Sequence, residues 1–115
     1  GVYVYCTFSD FRLPAGLDPV CTFREAEGLT AIIGKGEADE AALPYVFPCR
    51  LITLAVHSSL DAVGFLACVT ARLSEAGIAC NAVAAFHHDH LFVPEARAEE
   101  TLQILRELAS EGSSD

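Results

Sequence analysis

The sequence predicts an α+β fold, and three observations lead to that class. Apolar residues alternate with polar ones in several short segments, which is the period of a strand with one buried face. Residues 50–109 follow the order strand, helix, strand, strand, helix. Residues 1–49 echo that order, with an irregular loop where the later segment has its long helix. The chain is therefore interpreted as a degenerate internal duplication.

Length and cysteine content favour one reduced domain. The 115 residues can bury a real core. We expect a degenerate half at 1–49, a complete unit at 50–110 and a disordered tail at 111–115, with the first two forming one compact unit. The five cysteines are odd in number, include no C-x-x-C pair and lie in apolar segments. A disulfide framework or zinc clip is disfavoured, and a cytoplasmic setting is expected.

The charge distribution argues against two classes of partner. The net charge of −9 divides into −4 on residues 1–49 (three basic, seven acidic) and −5 on residues 50–115 (four basic, nine acidic). A surface of that sign repels phosphate backbones and anionic lipid, so we expect neither nucleic acid nor a membrane surface as partner. No apolar run approaches the ~18 residues that span a bilayer, and no leader pattern opens the sequence.

The first half is predicted to contain one strand, one loop, a hairpin and a short helix. Residues 2–8 alternate apolar and aromatic side chains and form the strand. Residues 11–19 contain Pro14, Gly16, Asp18 and Pro19, which interrupt the backbone too often for a helix, so we expect a loop over the neighbouring core. Residues 37–43 have high helix propensity and stop before Pro44.

The hairpin is predicted at residues 20–25 and 29–34. Gly28 lies in the connection and supplies the positive φ that a tight turn favours. Residues 22–27 would also fit a helix, but the β-branched residues after Gly28 favour a strand partner.

The second half is predicted to start with a central strand and a helix. Residues 50–57 are largely apolar on both faces, as in a central strand. The helix is expected to open at residues 58–61, capped by Ser58, with Gly64 inside its first turns and Gly77 as its stop. Its apolar stripe consists of Ala62, Leu66, Val69, Leu73 and Ala76.

A second hairpin and a final helix complete the predicted unit. Residues 78–87 form one strand, His88 and Asp89 turn the chain, and residues 90–93 return antiparallel. Pro94 precedes a helix with its own apolar stripe. That stripe consists of Ala98, Leu102, Leu105 and Ala109.

Two segments of the second half carry a family resemblance. Residues 61–69 read Asp-Ala-Val-Gly-Phe-Leu-Ala-Cys-Val, and residues 73–78 read Leu-Ser-Glu-Ala-Gly-Ile. The chain resembles ACT domains, which usually show Asn or Asp, a Pro-Gly pair, apolar spacing and a Gly-Ile before the next strand. Val63 stands where the family usually has proline. Further segments at residues 3–6, 22–28, 47–50 and 88–94 resemble a small bacterial family of stand-alone ACT-like proteins.

The resemblance implies a ferredoxin-like (ACT-like) α/β sandwich, with a βαββα(β) unit in residues 50–109 preceded by a degenerate ACT-like half. It also implies a homodimer or higher homo-oligomer that binds an amino-acid-like effector without a cofactor or catalysis. A side chain at Gly64 would fill the space that a ligand carboxylate needs beside the free amides of a helix start. The implied ligand-binding residues are His57, Ser58, Ser59, Leu60, Asp61, Ala62, Val63, Gly64, Asn81 and Val83.

Two other functions compete with the sensing hypothesis. The first is a metal-binding protein or metal-dependent enzyme, because imidazole and carboxylate are common ligands of zinc and nickel. Its ligands would be His57, His88, Asp89 and His90. The second is a pure dimerisation scaffold that binds no small molecule. Nucleotide and nucleophile sites are disfavoured, because Gly34-Lys35-Gly36 lacks the full phosphate-loop pattern and no Gly-x-Ser-x-Gly elbow is present.

Overall fold

The structure is a computed structural model that describes residues 1–55 and 63–113. The chain divides into two compact units, Gly1–Cys49 and Arg50–Asp115. The predictions for residues 56–62, which include the end of the central strand and the cap at Ser58, lie outside the described residues. No helix in the described ranges has the length and apolar character needed to cross a membrane.

The first unit contains the predicted strands and short helix. Its strands follow the order β2-β3-β1-β4, with β1 antiparallel to β3 and β4. The elements are β1 (Tyr3–Phe8), β2 (Cys21–Arg24), β3 (Leu29–Gly34), α1 (Lys35–Glu40) and the start of β4 (Val46–Thr53). The predicted bounds of α1 were wrong at both ends, because the helix begins at Lys35 and stops before Ala42, whose φ of 54° is left-handed.

The loop between β1 and β2 covers the core of this unit, as predicted. Buried side chains from β1, β3 and α1 form the cluster, namely Val4, Cys6, Ala31, Ile33 and Ala38. Leu13 and Leu17 of the loop pack against it. The loop that carries these two leucines connects β1 to β2, just as the long helix of the second half connects its first two strands. The loop therefore covers the sheet where the second half has a helix.

The hairpin of β2 and β3 is confirmed, and Gly28 explains its tight turn. Glu25 and Gly28 exchange backbone hydrogen bonds of 2.9 and 3.3 Å. A Cβ atom added to Gly28 would lie 2.8 Å from the backbone oxygen of Phe8. The residue must therefore be glycine because the neighbouring strand passes too close for any side chain.

The strand predicted at residues 50–57 begins earlier than the sequence indicated. Strand β4 starts at Val46 and ends at Thr53, and its register against β1 shifts between Tyr3 and Tyr5. Phe47 has a φ of 58° at this irregularity. Pro48 has no amide hydrogen to donate to a regular strand ladder, and the bulge accommodates it within β4. For this reason Pro48 does not mark the start of the strand, as the sequence had suggested.

The second unit has the predicted order of strand, helix, strand, strand, helix. Its elements after β4 are α2 (Phe65–Glu75), β5 (Asn81–Ala84), β6 (Asp89–Pro94), a 3₁₀ turn at Glu95–Arg97 and α3 (Ala98–Ser113). The strands follow the order β4-β6-β5. The core consists of Leu54, Val69, Leu73, Ile78, Leu91 and Val93. The α+β ferredoxin-like class is therefore confirmed, and α3 continues into the segment predicted as a tail.

Helix α2 differs from its prediction at the start and agrees with it at the end. Gly64 has a φ of 97°, which no helical residue adopts, so it precedes the helix instead of lying within the first turns. Gly77 ends the helix with a φ of 72°. The amide of Ile78 donates to the carbonyl of Leu73 at 3.0 Å, which is the six-to-one bond of a glycine-terminated helix.

The second hairpin repeats the geometry of the first with an offset of sixty residues. Asn81 pairs with Phe92 as Cys21 pairs with Ile32. The amide of Ala85 donates to the carbonyl of His88 at 3.0 Å. The turn therefore comprises residues 85–88, the strand before it is shorter than predicted, and Asp89 belongs to β6 instead of the turn. The polar pair His88 and Asp89 suggested a turn at those residues. The turn instead lies at residues 85–88, which correspond to residues 25–28 of the first hairpin.

Candidate functional site

The start of α2 presents the free backbone donors that the sequence predicted near Gly64. Among the described residues, a Cβ atom added to Gly64 would meet nothing within 4 Å, and Val63 is 97% exposed. No side chain of the described residues caps the helix. The first amides of an uncapped helix favour a negative group. Gly64 is therefore open to solvent at an electropositive helix end.

Most of the predicted ligand-binding residues fall in the undescribed segment. These are His57, Ser58, Ser59, Leu60, Asp61 and Ala62. Asn81 and Val83 are described and lie on β5, opposite Phe92 and His90 of β6. Directly paired residues share a face, while Leu91 and Val93 on the other face pack with α2. Within one chain, Asn81 and Val83 thus point away from the face on which α2 packs.

Asp89 is the buried charged residue of the described ranges, with only 6% of its surface exposed. It lies on the same face of β6 as Leu91 and Val93, and its carbonyl accepts from the amide of Leu54 at 3.0 Å. Its carboxylate oxygens are not among the buried side-chain atoms of the described ranges that lack a hydrogen-bond partner. A carboxylate in this position is costly unless a cationic or hydrogen-bonding group meets it.

The histidines near the second turn do not converge with Asp89. The ring centroids of His88 and His90 lie 6.5 Å apart, and His90 Nδ1 is 2.9 Å from Thr53 Oγ1. Asp89 and His90 are consecutive in β6 and therefore point to opposite faces. Among the described residues, no group of three histidine, cysteine or acidic side chains is placed to hold a metal ion. The remaining candidate ligand, His57, lies outside those residues.

The described ranges also contain an apolar cleft in the helix layer of the second unit. Its volume is about 580 Å³, and it lies between the end of β4, α2 and α3. Apolar side chains form most of the lining, with Thr53, Cys68 and Arg106 as the polar members. The apolar members are Ile52, Leu54, Ala55, Phe65, Val69, Leu102, Leu105, Leu108 and Ala109. We call this feature the α2–α3 cleft.

The cysteines differ in their exposure and acidity. Burial raises the pKa of Cys49 to about 11, and it raises the pKa of Cys6 and Cys80 above the ordinary value. Burial disfavours the thiolate because the charged form loses its hydration. Cys68 is exposed on α2 at the α2–α3 cleft. The buried cysteines are therefore suited to packing rather than nucleophilic chemistry.

Comparison with known proteins agrees with this architecture. One ACT-domain family model matches residues 1–50, and a second matches residues 46–107, which is more than half of the chain. The chain belongs to the ACT-domain family. The two matches also correspond to the duplicated halves, so the ferredoxin-like class is that of an ACT fold.

Two solved structures are similar to this ACT-domain chain. A Vibrio cholerae protein of unknown function, described as a possible transport protein, is 42% identical with a TM-score of 0.83. The match covers 95% of this chain and 84% of that protein. An Agrobacterium tumefaciens protein is 23% identical with a TM-score of 0.78, covers 93% of this chain and 82% of its own, and shows the fold alone. No curated protein matches the chain.

Membership of the family indicates a regulatory module that binds a small molecule, since ACT domains are typically regulatory rather than catalytic. Sequence reasoning missed two features that bear on such a role. Asp89 was assigned to a turn, although the offset of sixty residues aligns it with the buried Leu29. Arg106 was overlooked, although its position on an apolar helix face was visible in the sequence.

Proposed function

We propose that this ACT-domain protein is a non-enzymatic sensor that self-associates and binds an amino-acid-like effector. The observation that carries the proposal is the carboxylate of Asp89, a residue with only 6% of its surface exposed, in a fold whose family is typically regulatory. An ammonium group is the partner that such a carboxylate favours. The carboxylate of the same ligand suits the uncapped start of α2 at Gly64.

The topology supports placing both groups at one end of the second unit. Asp89 is hydrogen-bonded to Leu54, and Gly64 directly precedes Phe65. Leu54 and Phe65 line the same α2–α3 cleft, so the two proposed contacts belong to one neighbourhood. An amino acid carries an ammonium group and a carboxylate on the same carbon atom, which fits a site with one acidic side chain and one positive helix end.

The outer strand β5 supports the proposed self-association. It is at the edge of the second unit, carries no charge in Asn81–Ala84 and is followed by Phe86, which is 74% exposed. An uncharged edge with an exposed aromatic residue is a template for pairing with another strand. Because Asn81 and Val83 point away from α2 in their own chain, a second copy is the partner that could bring them to an effector.

A thermal-shift screen against the amino acids tests effector binding. At ten times its dissociation constant, an effector should stabilise the protein by ~1.4 kcal/mol, which raises the unfolding midpoint by roughly 5 °C. Asp89→Asn should weaken binding at least about tenfold because it removes a charge-assisted hydrogen bond. Gly64→Leu should also weaken binding by filling the open space at the helix start.

Glu99→Gln is the matched control for Asp89→Asn. Glu99 is an exposed carboxylate on α3, so the variant removes the same charge at a distance from the proposed site. Its response to the amino acids should equal that of the wild type. Equal responses of Asp89→Asn and the wild type would show that the proposed ammonium contact does not exist.

Sedimentation equilibrium tests the proposed role of β5 in self-association. Phe86→Ser should raise the dissociation constant of the dimer at least about tenfold, because burial of a phenylalanine contributes ~1.5–3 kcal/mol. Phe23→Ser is the matched control, since Phe23 is 69% exposed on the other outer strand, β2. A monomeric wild type, or dissociation caused by Phe23→Ser alone, would contradict this assignment.

A further inference from the structure

The α2–α3 cleft has the size and surface of a small-molecule site. Its volume of about 580 Å³ falls within the range of roughly 300–1,000 Å³ that is usual for ligand pockets. Leu102, Leu105 and Leu108 line one wall from α3, and Phe65 and Val69 line the other from α2. Phe65 and the three leucines are only partly buried, so an apolar ligand would remove their remaining surface from water, while Val69 belongs to the buried core.

Arg106 gives this apolar cleft a positive charge. The residues three and four positions away along α3 are Leu102, Gln103, Ala109 and Ser110, none of which is acidic. By contrast, Arg72 pairs with Glu111, and Arg97 pairs with Glu100. Within the described ranges Arg106 forms no ion pair.

This combination is informative because the chain carries more than twice as many acidic as basic residues, 16 against 7. An arginine with no ion-pair partner among the described residues, beside an apolar surface, offers a planar donor to an external anion. Its guanidinium has five donors, and no other described residue of the cleft lining carries a charge.

From this geometry we infer that the α2–α3 cleft binds a medium-chain aliphatic carboxylic acid. The hydrocarbon chain lies between the leucines of α3 and the apolar residues of α2, and the carboxylate accepts hydrogen bonds from Arg106. This binding mode shares Leu54 and Phe65 with the neighbourhood of the proposed effector site, but it needs neither an ammonium group nor a contact with Asp89. Exposed Cys68 in the cleft lining provides a local reporter.

Titration with octanoate and decanoate, below their micelle concentrations, tests the inference. Both acids should bind saturably and slow the alkylation of Cys68, as followed by mass spectrometry. Each additional buried methylene should tighten binding about fourfold, so decanoate should bind roughly fifteenfold more tightly than octanoate. Decanol lacks the charge and should bind at least about tenfold more weakly than decanoate.

Three surface variants separate the contribution of the charge from that of the cavity. Arg106→Gln should weaken decanoate binding at least about tenfold and leave decanol binding unchanged. Arg50→Gln removes the same charge at an exposed position outside the cleft and should bind decanoate like the wild type. Ala109→Phe places a ring in the cleft from an exposed helix position and should abolish the binding of both compounds.

Several results would overturn the inference. Absence of saturable binding by either acid would do so, as would equal decanoate affinities for Arg106→Gln and the wild type. A change in oligomer size in Ala109→Phe, with no response of the wild type to decanoate, would show that the cleft is an interface between copies. Loss of amino-acid binding in Asp89→Asn with retained decanoate binding would leave this inference standing and separate it from the effector proposal.

Discussion

Replacing Leu73 with alanine should lower the free energy of unfolding by about 2–5 kcal/mol. Leu73 is fully buried on α2 and packs in the core with residues of β4 and β6. The substitution removes apolar surface and leaves a cavity that neighbouring side chains fill only in part. Urea denaturation followed by circular dichroism measures the loss.

Ser74→Ala is the control for this substitution, because Ser74 is the next residue on the same helix and is exposed. Its free energy of unfolding should stay within about 0.5 kcal/mol of the wild-type value. Equal midpoints for Leu73→Ala and Ser74→Ala would show that α2 does not pack on the sheet as described.

Alanine at Gly28 should destabilise the protein by about 1–3 kcal/mol. The new Cβ atom would lie 2.8 Å from the Phe8 oxygen and 3.2 Å from the Cα atom of Ser9. Both contacts are with backbone, which cannot rotate away as a side chain could. Relief of the clash therefore requires β1 and the hairpin to move apart.

The same change at Gly36 should have the opposite sign. Gly36 lies in α1, and an added Cβ atom would meet nothing within 4 Å. Alanine there should stabilise the helix by up to about 1 kcal/mol because glycine is a poor helix former. Thermal or urea unfolding of both variants checks the pair, and destabilisation of similar size at both positions would contradict the described turn.

The sequence predicted the element order well because alternation and helical spacing are local signals. The hairpin at residues 21–34 and the helix stop at Gly77 both depend on glycine geometry that the sequence displays. The loop at residues 11–19 was predictable for a similar reason, since Pro14, Gly16 and Pro19 exclude a helix, and the structure shows that its leucines pack on the core.

The errors occur where a tertiary feature overrides a local signal. Pro48 looked like the boundary of a strand, but a bulge at Phe47 keeps it inside β4. Gly64 looked like a helical residue, but its left-handed φ places it before α2. Asp89 looked like part of a polar turn, and only the pairing register reveals its burial on the core face.

The candidate site was less predictable than the fold because it depends on which faces meet. Asn81 and Val83 were predicted to line the same site as Gly64, and the pairing of β5 with β6 shows only that, within one chain, they lie on the face opposite the one that packs with α2. The α2–α3 cleft arises from residues that are far apart in the sequence and share only their apolar character. No local sequence motif indicates the face on which Asn81 and Val83 lie or the set of residues that line the cleft.

Calorimetric titration of the amino acids into the purified protein measures effector binding without a label or an unfolding step. We expect saturable heat for at least one amino acid with one site per chain, and a dissociation constant raised at least about tenfold in Asp89→Asn. Flat titrations across all the amino acids, at protein concentrations that give full self-association, would contradict the proposal that this ACT domain senses an amino-acid-like effector.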